Sequence, residues 1–191
     1  MAQTPLLPPD VGRLAEARLR QLSVLAADRG LAPVDQGQVV LTVVATVEAY
    51  VDEVLRELIA SSGYDYSAFG RAMLHELEDR IYQSWRERHG WLDKGFAISI
   101  AGSAAAQDLL AVVELRNAIV HGSGRLTDRQ SRDVANLIKL EHRLQEVLDV
   151  RVENRTVNLA SSTGIRAIEV ARVYILALDA EAGLKQLTRR V

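Results

Sequence analysis

Between residues 40 and 58 the chain repeats apolar side chains at Val40, Val43, Val44, Val47, Val51, Val54, Leu55 and Leu58. Spacings of three and four place them all on one face of an α-helix, which turns once every 3.6 residues. A stripe that long is unfavourable in water and must be covered, so the chain is restricted to folds built by packing helices together. The spacing predicts a helix over Val39 to Ile59, opened by the capping-box pattern Asp35-Gln-Gly-Gln38 and broken by Ser61-Ser-Gly-Tyr64.

Most of the remaining sequence reads the same way. Asp10 to Arg29 carries Val11, Leu14, Leu19, Leu22 and Leu25 and stops at Gly30. Ser67 to His89 reads as a third, more polar helix on Phe69, Met73, Leu77, Ile81 and Trp85. Gly90 to Gly102 reads as irregular but apolar enough to pack down, through Trp91, Leu92, Phe96, Ile98 and Ile100. Ser103 to His121 is a further helix, and Thr127-Asp-Arg-Gln130 is a second capping box that opens a helix to about Leu148. Arg151 to Leu159 alternates like a short strand or extended arm. Ser161 or Ser162 then caps a last helix through Ile165, Ile168, Ile175 and Leu176 to about Leu187.

The expected architecture is all-α: an antiparallel four-helix core bundle over about 36–148, with extra N- and C-terminal helices and one short extended arm near 151–159. A length of 191 residues suits one well-packed domain and is short for two. With no repeat and no dividing linker, a single domain over 1–191 is expected. The absence of cysteine excludes disulfides and thiolate metal sites, and fits a reducing cytoplasm. The start, Met-Ala-Gln-Thr-Pro-Leu-Leu-Pro-Pro-Asp, lacks the features of a signal peptide. No apolar run approaches the roughly 18 residues that span a bilayer, so a soluble, cytoplasmic protein with no membrane partner is expected.

The chemistry concentrates in Glu114-Leu-Arg-Asn-Ala-Ile-Val-His121-Gly-Ser-Gly124. On a helix Leu109, Val112, Val113 and Val120 share one face, and Arg116 points into it. Asn117 and His121 are neighbours one turn apart. His121 is expected at the helix C-terminus, because Gly122 can adopt the left-handed conformation that ends helices. Arg116 and His121 should point about 140° apart on a straight helix, so fraying or a second chain is expected to bring them together.

Histidine exchanges protons near neutral pH, and arginine offers a fixed fork of donors to phosphate oxygens. The sequence has no HExxH, no Cys/His set, no P-loop and no Gly-x-Ser-x-Gly elbow. Without a metal to activate water, the easiest phosphodiester to cleave carries its own nucleophile, the 2′-hydroxyl of RNA. The products would be a 2′,3′-cyclic phosphate and a 5′-hydroxyl. The formal net charge of −2 excludes a bulk nucleic-acid binder. Residues 116 to 143, however, hold six Lys or Arg against three acids, which suits a phosphate-bearing ligand beside the motif, with Arg125 and Arg129 as substrate-binding candidates.

Structural roles compete with this reading. Arg116 could be a buried arginine paired with Glu48, and His121 could bind the last carbonyls of its helix. His75, His89 and His142 read as solvated surface, while Trp85 and Trp91 read as core.

The string Leu115-Arg-Asn-Ala-Ile-Val-His-Gly122 resembles the Arg-x(4–6)-His motif of the HEPN superfamily, and looks most like its RiboL-PSP-HEPN subgroup. The helix Val39 to Ile59, with Glu48 in its apolar arc, is similar to the first core helix of that family, and the resemblance extends over about residues 36–150. It implies a metal-independent endoribonuclease without cofactor, often a toxin or phage-defence effector. Arg116 and His121 would be catalytic, with Asn117 and Glu48 supporting. Two motifs would face one another across the two-fold axis of a homodimer, with RNA as substrate and a cognate antitoxin or regulatory protein as a further partner. Two other classes fit the same residues: a non-catalytic module of this fold that binds RNA, a nucleotide or a partner protein, and a purely structural helical dimerisation domain.

Overall fold

A computed structural model describes residues 10–26, 33–63 and 67–188. In chain order the elements are α1 (Asp10–Ala26), α2 (Pro33–Ser61), α3 (Ala68–Ile81), α4 (Trp85–Phe96), α5 (Ala104–His121), α6 (Asp128–Ser131), α7 (Val134–Leu148), β1 (Arg151–Glu153), β2 (Thr156–Asn158) and α8 (Thr163–Thr188). Among the described residues the protein is all-α apart from this one hairpin. No helix among the described residues is long and apolar enough to cross a membrane. The expected stop of the first helix at Arg29 and Gly30 lies outside the described residues.

Helix α2 forms for the reason its periodicity gives. Val40, Val43, Val44, Val47, Val51 and Leu55 are all fully buried. Each such side chain contributes about 1.5–3 kcal/mol on leaving water. The start of α2 differs from expectation. The helix begins at Pro33, so Asp35-Gln-Gly-Gln38 lies within its first turns instead of capping it. Proline is well suited to that place, because its missing N–H is one that a first turn leaves unpaired. Gln36 has another use: its side-chain oxygen accepts from the backbone N–H of Gly164 at 2.8 Å.

That contact marks a close approach of α2 and α8. A Cβ on Gly164 would stand 2.6 Å from Gln36 Oε1 and 3.1 Å from Val39 Cγ1. Helix α8 packs against α1, α2, α5 and α7, and buries Ala167, Ile168, Ala171, Tyr174, Ile175 and Leu178. It is a central element, in contrast to the peripheral position its terminal place suggests.

The expected third helix is two. Helix α3 ends at Ile81, and Ser84 opens α4 by accepting from the backbone N–H of Glu87 at 3.2 Å. Phe69 and Met73 are consequently exposed. The segment expected to be irregular from Gly90 is helical to Phe96, yet Ile98 and Ile100 do pack into the core beyond it. The capping box at Thr127 and Gln130 is present, but opens only the four-residue α6. Asp133 then caps α7 separately, accepting from Asn136 N at 2.8 Å.

His89 is buried, against the expectation of solvated surface. Its Nε2 lies 3.0 Å from the Tyr174 hydroxyl, and its ring packs at the edge of Trp85. Burial, reinforced by the charge on Arg88, lowers its pKa. The neighbouring Arg88 forms a forked ion pair with Asp52 of α2 (2.7 and 3.1 Å), and Tyr50 of α2 donates to Asp179 of α8. Polar pairs thus link α4 to both α2 and α8 inside an otherwise apolar core. His75 and His142 are exposed and Trp85 is core, as the sequence suggests.

Candidate functional site

Ser103 caps α5, its hydroxyl accepting from Ala106 N at 3.2 Å. Ala105, Ala106, Leu109, Ala111, Val112, Val113, Leu115 and Ala118 are buried, so the body of the helix is held in the core from several sides. Gln107 and Asp108 emerge near its N-terminal end, and the candidate residues emerge at its C-terminal end. Arg116 and Asn117 are half-buried, while Val120 and His121 are exposed. Val120 therefore does not share the buried face of Leu109, Val112 and Val113, and Arg116 sits at that face's margin.

The structure brings Arg116, Asn117 and His121 together within one chain. Arg116 Nη1 lies 3.3 Å from Asn117 Oδ1 and 3.3 Å from His121 Nε2. The helix is regular to His121, so neither fraying nor a second chain is needed for the two to meet. The two side chains leave the helix about 140° apart, but the long arginine side chain spans the gap. A guanidinium carries only donors, so Nε2 accepts in this contact and the ring proton belongs on Nδ1. The imidazole is thereby presented with a basic nitrogen at the solvent-facing end of the helix.

The turn that follows is set by Gly122 and Gly124 for different reasons. Gly122 has φ −101°, not the left-handed conformation expected of it. Its lack of a side chain is required by crowding, since a Cβ would stand 1.7 Å from the carbonyl oxygen of Arg125 and 2.8 Å from that of Ala118. The left-handed conformations fall on Ser123 (φ 52°) and Gly124 (φ 83°). The backbone N–H groups of Gly122 (3.1 Å) and Gly124 (3.0 Å) both donate to Ala118 O, and Arg125 N donates to Gly122 O at 3.0 Å.

Two further devices pin this turn. Leu126 N donates to Arg155 O at 2.7 Å and Val157 N to Gly124 O at 3.0 Å, which joins the loop to the hairpin. Arg155 also donates to Leu126 O (2.9 Å) and to Asp128 (2.8 Å), and holds the Asp128 carboxyl below the usual carboxylate range. On the other side, Gln130 uses its whole amide. Nε2 donates to the Glu114 carbonyl (2.8 Å) and carboxylate (2.6 Å), while Oε1 accepts from Thr127 N and Oγ1, both at 2.9 Å. Glu114, Gln130 and Arg155 are contributors that the sequence reading missed. The capping-box pattern marked Gln130, but a capping glutamine has a spare NH2, and its second partner depends on tertiary position.

The remaining candidates are placed as follows. Arg125 is exposed and its Nη2 reaches Asn154 O at 3.4 Å. Arg129 is 81% exposed and stands 3.7 Å from Glu114. Glu48 is half-buried on α2, and no ion pair joins it to Arg116 among the described residues, so the expected Glu48–Arg116 pairing is not found. Arg116 is held instead by Asn117 and His121, its immediate neighbours on α5. No cluster of three His, Asp or Glu among the described residues is arranged to hold a metal ion. In comparisons with known proteins the chain matches no family model, no curated protein and no solved structure.

Proposed function

We propose that the chain is a HEPN-like, metal-independent endoribonuclease that cleaves RNA by attack of the 2′-hydroxyl, with Arg116 and His121 as the reacting pair. The observation that carries this reading is the 3.3 Å contact of Arg116 Nη1 with His121 Nε2 at an exposed helix end. It pairs a fixed cation for phosphate with a nitrogen able to take a proton. An anionic phosphate is a stronger acceptor for a guanidinium than a neutral imidazole. Substrate would therefore draw Arg116 from Nε2 to a non-bridging oxygen and uncover the base.

In the reaction Nε2 takes the 2′-hydroxyl proton and the 2′-oxygen bonds to phosphorus. The bond from phosphorus to the 5′-oxygen breaks, and that oxygen receives a proton from a second imidazole. The second imidazole is assigned to His121 of another copy, in a homodimer joined around the Ser103–Gly124 region, where Val120 is 45% exposed beside the site. Asn117 steadies the guanidinium, and Arg125 and Arg129 extend the cationic surface. The four-helix core of the family would fall within about 36–150, and a toxin or phage-defence role with a neutralising partner is what the resemblance adds.

Cleavage of a labelled RNA in EDTA tests the reading. Wild-type protein should leave 2′,3′-cyclic phosphate ends, and His121→Ala should be slower by roughly 10²–10⁴-fold. A substrate with 2′-deoxy at the cut position should be inert. Cutting of that substrate, or wild-type rates from the alanine variant, would sink the assignment. Binding without cutting would leave the site as a non-catalytic RNA module.

A further inference from the structure

A single bridge adds Arg125 to the outer edge of the hairpin β1–β2. Register pairs Arg151 with Asn158, Val152 with Val157 and Glu153 with Thr156, and Arg125 bridges to Thr156 on the other side of β2. Side chains opposite one another across a ladder share a face, and neighbours along a strand alternate. One face of this ribbon therefore carries Leu126, Val157 and Val152, which are buried or packed against the core. The other carries Arg125, Thr156, Glu153, Arg151 and Asn158, all exposed. The ribbon is held to the site by the backbone bonds of Gly124 and Leu126, and Arg125 lies only four residues beyond His121.

From this register and its continuity with the site, we infer that the outward face of the 125/156/151 ribbon is a binding track for the single-stranded RNA that flanks the scissile phosphate. The inference rests on the ribonuclease reading for its choice of ligand. Arg125 and Arg151 are two strands and two residues apart, about 12 Å by ribbon geometry, too far to clamp one phosphate and suited to successive positions on one strand. Thr156 and Asn158 add hydrogen-bonding groups along the same face. Glu153 is the one acid on it, and opposes a polyanion.

The face predicts opposite effects from two substitutions. The probe is a fluorescent, single-stranded 2′-O-methyl RNA of eight nucleotides, which cannot be cleaved, bound to the full chain at several salt concentrations. Arg151→Ala should weaken binding roughly two- to fivefold, the worth of one exposed ion pair, and lower the salt slope by about 0.7. Glu153→Lys should tighten binding by a similar factor and steepen the slope, a gain that misfolding cannot imitate. A blunt duplex of the same length should compete poorly. Kd values unchanged in both variants would overturn the track, even in a protein that cleaves RNA. Binding that responds to both variants in a protein that never cleaves would uphold the track and sink the catalytic reading. Wild-type protein that does not bind the oligonucleotide would overturn the track.

Discussion

Gly122→Ala is the substitution with the most direct structural consequence for the site. A Cβ at 122 would begin 1.7 Å from Arg125 O, a backbone atom, and the two would have to separate beyond 3.0 Å. Rotamer change cannot relieve this, because neither atom lies on a flexible side chain. The turn must open, which breaks the bonds of Arg125 N to Gly122 O and of Gly124 N to Ala118 O. Each backbone bond is worth about 0.5–1.5 kcal/mol net, and overpacking adds about 1–3 kcal/mol. A loss of about 2–6 kcal/mol is expected, or about 4–24 °C in Tm for a chain of this length. Gly124→Ala is the control. Its Cβ would meet nothing within 4 Å, and only the φ of +83° makes it unfavourable, by about 1–2 kcal/mol. Thermal melts by circular dichroism, with urea titration for ΔG, measure both variants. If Gly122→Ala melts within 2 °C of wild type by such a scan (roughly 1 kcal/mol), or no lower than Gly124→Ala, the steric account of this turn is wrong.

His89 supplies a pH test. Its folded pKa lies below the unfolded value of 6.5, so the unfolded chain takes up the proton first as pH falls. Stability should therefore be fully present above pH 6.5 and decline below it, and urea titrations of His89→Gln between pH 7 and pH 5 should show a shallower decline than wild type. An equal decline in the variant would assign the acid sensitivity elsewhere. The Arg88–Asp52 pair supplies a coupling test. Arg88→Met should lose about 3–5 kcal/mol by stranding a carboxylate that is only 17% exposed, while adding Asp52→Leu should restore much of it. Additive losses in the double variant would deny the coupling.

Periodicity made α2 legible because it buries a defined face for most of its length, whereas α5 is apolar on several sides and is marked by its capping Ser103. The division of α3 from α4 was not legible, because Phe69, Met73, Leu77, Ile81 and Trp85 keep helical phase across the break. Two of these residues, Phe69 and Met73, are exposed, so the pattern ran through positions that bury nothing. Ser84 was the local signal, as a capping residue directly before Trp85. The central place of α8 was hidden for the opposite reason. It buries Tyr174, Ile175 and Leu178 yet also exposes Val173 and Leu176, so apolar residues surround it and no single stripe identifies its packed side. His89 was misread because its partner Tyr174 lies 85 residues away.

The Arg116–His121 contact has a different lesson. Direction along a helix is a property of Cα–Cβ vectors, and five residues give about 140° of divergence with about 7.5 Å of rise. An arginine side chain is long enough to cross that distance, so the angular objection applies to short side chains and not to this one. With Nη1 at 3.3 Å from Nε2, one chain brings the guanidinium and the imidazole together by itself. In the proposed mechanism the need for a second copy then comes from proton balance alone. Transfer to the leaving 5′-oxygen requires an acid, and His121 is the one imidazole in the contact, because His89 is buried against Tyr174. Under the proposed mechanism, dilution to monomer should therefore lower the rate and abolish the alkaline limb of the pH–rate profile, which reports the acid, while leaving Arg116 and His121 in contact. A concentration-independent rate per chain would place the acid within the same protomer, or in water.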